Sequence, residues 1–532
     1  MKIYNYLLAL VFSIAIIIPA STNISGQAEY FYMVTLKDIK LVNIPFRLLN
    51  LDVQHQVSDN FNVFGNLGVE YRNRRDTDFM TDSNLEDFLL DIRELYMSYY
   101  FNNSEIRIGK QVHSWGSVDE NSPIDNLNGY DYYYLLLGGS EKKLGAYSLA
   151  YDVETDYFYD LLGATHKISF VYSPMHNTNR IPVNDPDYPI GLPSGSSPTE
   201  ETTILNDNNP AEYGLNIKSS FNFGDISLSY LGLYDRLFNL SGLTIYTDEA
   251  FTGGVVEPVP RYSYRYTDVY ALGAMLLFDD FTFSFDYALF ESNDTNDLDT
   301  FNNLEENPYY ISSPEDDVFG APALWIEQTR AFEEKVKYSQ LAVQFEMPFE
   351  NNLRVNSQYF KHEIIEYSSN PLGLSCLTLA GYDSDGDGSS TTPNWHPNWD
   401  GGDIPGPLPL FTPADCEDLE SGLGMTLDDF EPQNLFIPGV GTPYAMITSE
   451  GMLINIEKAF PDKSLTVDIN GFFDAANGDG RLISLETEYE LESGVELGFG
   501  ITKIYGDDTM ENYNFNNMES FSSFRSRLTY YF

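Results

Sequence analysis

An apolar–polar alternation of period two recurs from near Tyr30 to the last residue, Phe532, and limits the fold more than any other feature of the chain. Leu49, Leu51 and Val53 alternate with Asn50, Asp52 and Gln54. Phe61, Val63, Leu67, Val69 and Tyr71 oppose Asn62, Asn66 and Glu70. Phe281, Phe283, Phe285, Tyr287 and Leu289 oppose Thr282, Ser284 and Asp286, and Leu465, Val467 and Ile469 oppose Thr466, Asp468 and Asn470. The pattern closes the chain: Phe524, Leu528, Tyr530 and Phe532 share a face, with Arg525, Arg527 and Thr529 on the other. Such segments are strands with one apolar and one polar side. A sandwich would put one of these faces in water, and the stripes are too aromatic for that. In lipid, by contrast, every backbone group must be satisfied within the sheet, so the last strand has to pair with the first.

The connections sharpen the reading. Tight turns near positions 58, 103, 224, 280, 351, 462 and 493 alternate with long polar segments near 72–88, 112–144, 174–211, 235–261, 293–333, 368–444 and 506–519. That short–long alternation predicts an all-β fold, a transmembrane antiparallel up-and-down β-barrel of roughly 16–18 strands with short periplasmic turns and long extracellular loops. An even strand number brings both ends of the barrel to the same side. A barrel of this size is too wide for wall side chains to fill, so its interior holds water, a folded-in loop, or both. The expected lumen positions are polar, among them Glu70, Glu94, Arg107, Gln111, Arg354, Gln358, Asp468 and Thr502.

Composition agrees. The chain is 15% aromatic, yet its mean hydropathy is only −0.28, as expected of lipid-facing stripes joined by hydrophilic loops. Residues 1–27 carry Lys2, an apolar run from Leu7 to Ile18, then Pro19, Ala20, Ser25 and Gly26. This is the pattern of a secretory leader, with cleavage near 20–27 and the barrel domain spanning 28–532. A net charge of −51 excludes nucleic acid as a partner. Membrane lipid, lipopolysaccharide, the barrel-assembly machinery and small solutes are the expected partners, a homotrimer is a common assembly for such barrels, and the localisation is the outer membrane. Cys376 and Cys416 both fall in the 368–444 loop and form the candidate disulfide of an exported chain.

Residues 106–131 carry more than wall pattern. Ile108-Gly109-Lys110-Gln111 is followed by Trp115-Gly116, Asp119 and Asp125-Asn126. This segment resembles a broad group of porin-like outer-membrane barrels, including alginate-export-type porins and families of unassigned function, which carry Ile-Gly-Arg-Gln, Trp-Gly and Asn-Pro-x-Asp. Lys110 stands where that group has Arg, and Asn128-Gly129-Tyr130-Asp131 lacks its Pro. The end Leu528, Tyr530, Phe532 likewise resembles the terminal sorting strand of outer-membrane barrels. The resemblance implies a strand end leading into a loop that enters the lumen and narrows it. On that reading Arg107, Lys110, Gln111, His113, Trp115, Asp119, Glu120 and Asp125 set both charge signs at a constriction. The alternative is a tight corner at the rim, with Trp115 in the interfacial aromatic belt.

Two further motifs concern ligands. Asp383, Asp385 and Asp387 with Gly388 follow the first half of a calcium loop, but position 12 is Asn394. They leave either a weak calcium site or a solvated acidic loop, and no other cofactor is expected. Catalysis is not expected: the six histidines include no His-x-x-x-His spacing, and His113-Ser114 are neighbours on a strand and so point apart. Two readings stand: a porin-like channel for small polar or organic solutes, preferring cations or neutral species, and a non-conducting barrel acting as adhesin, structural platform or partner-dependent export outlet.

Overall fold

A computed structural model describes residues 21–72, 88–135, 142–182, 210–248, 257–294, 325–369 and 433–532, apart from single residues and short gaps within these ranges. The first strands are β1 (Ser21–Thr35), β2 (Pro45–Ser58), β3 (Phe61–Arg72), β4 (Phe88–Phe101), β5 (Ser104–Gln111), β6 (Ala146–Thr155) and β7 (Thr165–Ser173). Next come β8 (Glu212–Phe221), β9 (Gly224–Tyr234), β10 (Asn239–Asp248), β11 (Glu257–Ser263), β12 (Tyr266–Leu277), β13 (Thr282–Asn293) and β14 (Trp325–Ala331). The last are β15 (Lys335–Phe349), β16 (Leu353–Ser368), β17 (Glu450–Phe460), β18 (Leu465–Asp474), β19 (Arg481–Glu492), β20 (Val495–Tyr505) and β21 (Ser523–Tyr531).

Eighteen of these pair antiparallel into one closed sheet, the upper end of the expected count. Closure runs through β1 and β21, from Gln27–Tyr531 to Thr35–Ser523. Beyond the strand, the amide of Gly26 donates to the carbonyl of Phe532 at 2.9 Å, and that of Phe532 donates back at 3.0 Å. The terminal aromatic therefore ends the seam that removes the last sheet edge. Ser21–Gln27, assigned above to the end of the leader, form the start of β1 and pair with β2; residues 1–20 lie outside the described residues.

Side-chain exposure follows the alternation. Phe524, Leu528, Tyr530 and Phe532 are 38–51% exposed, whereas Arg525 is 7% and Thr529 1% exposed. The outward stripe continues through Tyr147, Leu149 and Tyr151 on β6, Tyr213, Leu215 and Ile217 on β8, and Ile483 and Leu485 on β19. An apolar belt of this kind around a sheet with no open edge is the surface a bilayer requires.

Three results differ from the sequence expectation. The 235–261 and 293–333 connections contain β10, β11 and β14, which form a separate three-stranded sheet. The β18–β19 connection is short although it lies at the long-loop end. The interior is also not polar throughout. Leu231, Val269, Phe290, Phe360 and Phe472 are buried apolar wall residues, because inward loops cover them. Val118, Tyr130, Tyr132, Leu135, Tyr444 and Phe515 join one such cluster, and Ile124, Leu127 and Val440 the other. Burying these groups removes apolar surface from the lumen water, which favours loops that lie inside the barrel over loops that stand free.

Candidate functional site

The segment that leaves β5, described at 112–135 and 142–145, lies within the barrel, and its own side chains shape its first turn. The Asp125 carboxylate accepts from the amides of Trp115 and Gly116 at 2.5 and 2.9 Å, from Ser114 Oγ at 3.2 Å, and from Lys143 Nζ at 2.7 Å. Burial pushes Asp125 up, but Lys143 and the amides outweigh it and hold the carboxyl below its usual range. Gly116 is needed here, since a Cβ would lie 2.2 Å from Ser122 Oγ.

Wall residues then hold the tip across the lumen. Asp286 Oδ2 on β13 accepts from the amides of Ser117 and Val118 at 2.8 and 2.9 Å and from Ser122 Oγ at 2.6 Å. Gln344 on β15 accepts from the Asp119 amide at 2.9 Å and donates to its carboxylate at 2.7 Å. Gln358 on β16 donates to the Asp119 carbonyl at 3.0 Å. Trp115 packs against the wall at Gly214, where an added Cβ would meet its ring at 2.8 Å. It therefore sits inside the barrel and not in an outer aromatic belt. The 438–446 segment closes on the loop from a third direction: Gly441 N donates to Asn126 Oδ1 at 2.6 Å, and Tyr444 N to Asn121 Oδ1 at 3.4 Å.

Two cavities meet at this tip, and Asp119, Glu120 and Lys142 line both. The smaller, of ≈ 390 Å³, also touches Arg93, Glu94, Asp125 and Lys143. The larger, of ≈ 660 Å³, adds Glu346, Glu457, Asp468 and Glu486 against one further base, Arg354. It therefore carries six carboxylates and two basic groups. Lys142 pairs with Glu120. Burial acts to discharge Lys142, but the negative charge around it, Glu120 in direct contact, prevails and keeps its ammonium charged.

The other sequence candidates are placed as follows. Arg107 faces inward and pairs with Asp152 at 3.0 Å. Gln111 is fully buried, its Nε2 donating to the Ser148 carbonyl. His113 is buried with Nε2 2.9 Å from Ser148 Oγ. Burial, reinforced by Arg107, lowers His113 to about 3, so it is neutral and supplies no charge to a constriction. Lys110 does not join the group. It lies opposite Leu95 and Tyr147, on the outward parity of Ile108, and its ammonium donates to the Ile92 carbonyl at 2.6 Å. Asp383, Asp385, Asp387, Cys376 and Cys416 lie outside the described residues.

Sequence reasoning missed a cluster of inward arginines. Arg93 bonds Asp91 at 2.7 Å and Asp131 at 2.9 Å, Arg47 bonds Asp91 at 2.8 Å, and Arg180 bonds Glu70 at 2.8 Å. A bulge in β4, where Asn66 faces Glu94 but Leu67 faces Ile92, leaves Arg93 outside the pairing and turns both Arg93 and Glu94 to interior partners. Strict alternation would have sent one of them outward. Arg47 was hidden in the same way: a register shift between Arg47 and Leu49 brings it to the inward side of β2 with Asn50, whereas strict alternation puts it on the face of Leu49.

No protein-family model matches this chain, and neither does any curated protein. Among solved structures, OccAB1 of Acinetobacter baumannii is 8% identical over 97% of this chain and 96% of its own, with a TM-score of 0.42. OccK8 (OprE) of Pseudomonas aeruginosa is 10% identical over 96% and 98%, with a TM-score of 0.41. The outer membrane channel DcaP of A. baumannii is 11% identical over 96% and 97%, at 0.36. The likeness is one of architecture and goes no further.

Proposed function

We propose that this chain is an outer-membrane channel of a Gram-negative cell that passes small polar or organic solutes and prefers cations or neutral species. The observation that carries the proposal is the loop tip at Asp119 and Glu120, fastened to the opposite wall where two cavities meet, the larger of them with six carboxylates to two bases. A ring of carboxylates at a narrow cross-section concentrates cations and repels anions. Export by an amino-terminal leader cleaved near Ala20, insertion by the barrel-assembly machinery, contact with lipopolysaccharide and a homotrimeric state belong to the same proposal. A weak calcium site at Asp383, Asp385 and Asp387 and a Cys376–Cys416 disulfide are proposals independent of it.

The test is single-channel recording of the refolded barrel in a planar bilayer under a potassium chloride gradient. Open steps with a cation-selective reversal potential are expected, and Glu457→Gln with Glu486→Gln should move that potential toward zero. Anion selectivity would refute the preference. One observation favours the second reading, a barrel that opens only with a partner: Tyr132, Tyr444, Phe472 and Phe515 build an apolar cluster within the interior. A folded, heat-modifiable barrel that never conducts would decide for it.

A further inference from the structure

The larger cavity contains an arrangement of charge that the wall does not itself neutralise. On neighbouring strands β16 to β19, Arg354, Glu457, Asp468 and Glu486 stand directly opposite one another in register. Three carboxylates side by side on one face destabilise a sheet unless cations offset them. The outer two have partners. Arg354 bonds Glu457 at 2.6 Å. Arg525 on β21 reaches Glu486 over Gly500, where an added Cβ would lie 2.5 Å from the arginine Nε. Asp468, in the centre, has no basic partner among the described residues.

A second, independent observation points to a ligand in the same cavity. Asn121, on the inserted loop, is 1% exposed, and its amide Nδ2 has no hydrogen-bond partner among the described residues. Asn356 Oδ1, on the wall, is also buried without a partner. Both residues line the cavity that Asp468 lines. A buried amide left unpaired is costly, so such groups ordinarily meet protein, water or ligand. Between them they ask for an acceptor and a donor, and a hydroxyl supplies both. Leu453, Phe472 and Leu482 add an apolar surface against which the C–H face of a ring can lie.

We propose that this cavity binds a hydroxylated organic ammonium solute of the amino-sugar class, with Asp468 holding the ammonium and Asn121 and Asn356 holding hydroxyls. The inference rests on the larger cavity being part of the solute path. A sugar acid would meet three carboxylates in a row, and a neutral sugar would leave Asp468 without its ion pair. The volume of ≈ 660 Å³ lies within the range of small-molecule sites and accommodates a ring with its hydration.

Binding of glucosamine hydrochloride, N-acetylglucosamine and glucose to the full barrel refolded in micelles, measured by calorimetry at constant ionic strength, tests this. Glucosamine should bind at least tenfold more tightly than either neutral sugar, since one charge-assisted contact is worth about a decade or more. Asp468→Asn should erase that difference, while Asn121→Ala should weaken all three sugars alike. Equal affinities, or an unchanged preference in folded Asp468→Asn, would overturn the proposal. Should that variant fail to fold, the three-sugar comparison on the wild-type barrel still decides. Calorimetry needs no current. A barrel that prefers glucosamine but never conducts refutes the channel and not the site; one that conducts without preferring glucosamine refutes the site and not the channel.

Discussion

Removing the wall carboxylate that holds the loop tip should loosen the tip without unfolding the barrel. In Asp286→Ala, the amides of Ser117 and Val118 and the hydroxyl of Ser122 lose one shared acceptor. Hydrogen bonds to a charged group contribute roughly 1.5–3 kcal/mol each, so the three together reach about 4.5 kcal/mol at the low end. Water in the neighbouring cavities can take over part of this, and the Gln344 and Gln358 contacts to Asp119 remain. The net loss is then about 2 kcal/mol, a factor of ~30 in the local opening equilibrium. Hydrogen exchange followed by mass spectrometry on the micelle-refolded protein measures it: peptides covering Ser117 and Val118 should exchange ~30-fold faster, while those of β19 to β21 stay protected. Unchanged protection at the tip would refute the latch, as would loss of protection throughout the barrel.

Two more predictions follow from the same loop. The folded state holds Asp125 below the ordinary carboxylate value, so its contribution is present above that value and disappears as pH falls through the lower, folded one. Corrected exchange at the Trp115 and Gly116 amides should therefore be flat from about pH 8 to 5 and rise only below roughly pH 4; loosening near neutral pH would contradict this. Gly214→Ala would place a Cβ 2.8 Å from the Trp115 ring and 2.7 Å from Leu231 Cδ2. Overpacking of this kind costs about 1–3 kcal/mol, which should appear as a lowered heat-modifiability midpoint; a midpoint equal to wild type would mean that Trp115 does not rest on this wall.

Legibility differed between wall and site for a physical reason. Phe524, Leu528, Tyr530 and Phe532 could be assigned to lipid because a strand has only two faces and one of them meets hydrocarbon. Asp286, Gln358 and Asp468 could be assigned to the interior by the same rule. Lys110 followed the rule too, and its outward parity removes it from the constriction where its motif placed it. Arg93 escaped the rule because one bulge shifts the parity, and nothing in its immediate sequence marks the extra residue. Lys142 and Lys143 escaped because they lie at the far end of the loop, where no periodicity applies, and only folding brings them to Glu120 and Asp125.

The sequence alone determined a closed antiparallel barrel, the side of the wall on which most residues lie, the end that carries the long loops, and the segment most different from plain wall. These follow from short-range rules, a period of two and the need to satisfy every backbone group in lipid. Only the tertiary structure decided that the tip of the 112–145 loop is fastened to Asp286, Gln344 and Gln358, more than 160 residues away in sequence. It alone showed that Trp115 lies inside, that His113 is buried, and that Asp468 lacks a cation among the described residues between Glu457 and Glu486. Those facts depend on which distant side chains share a space, and register and loop path set that, not local pattern.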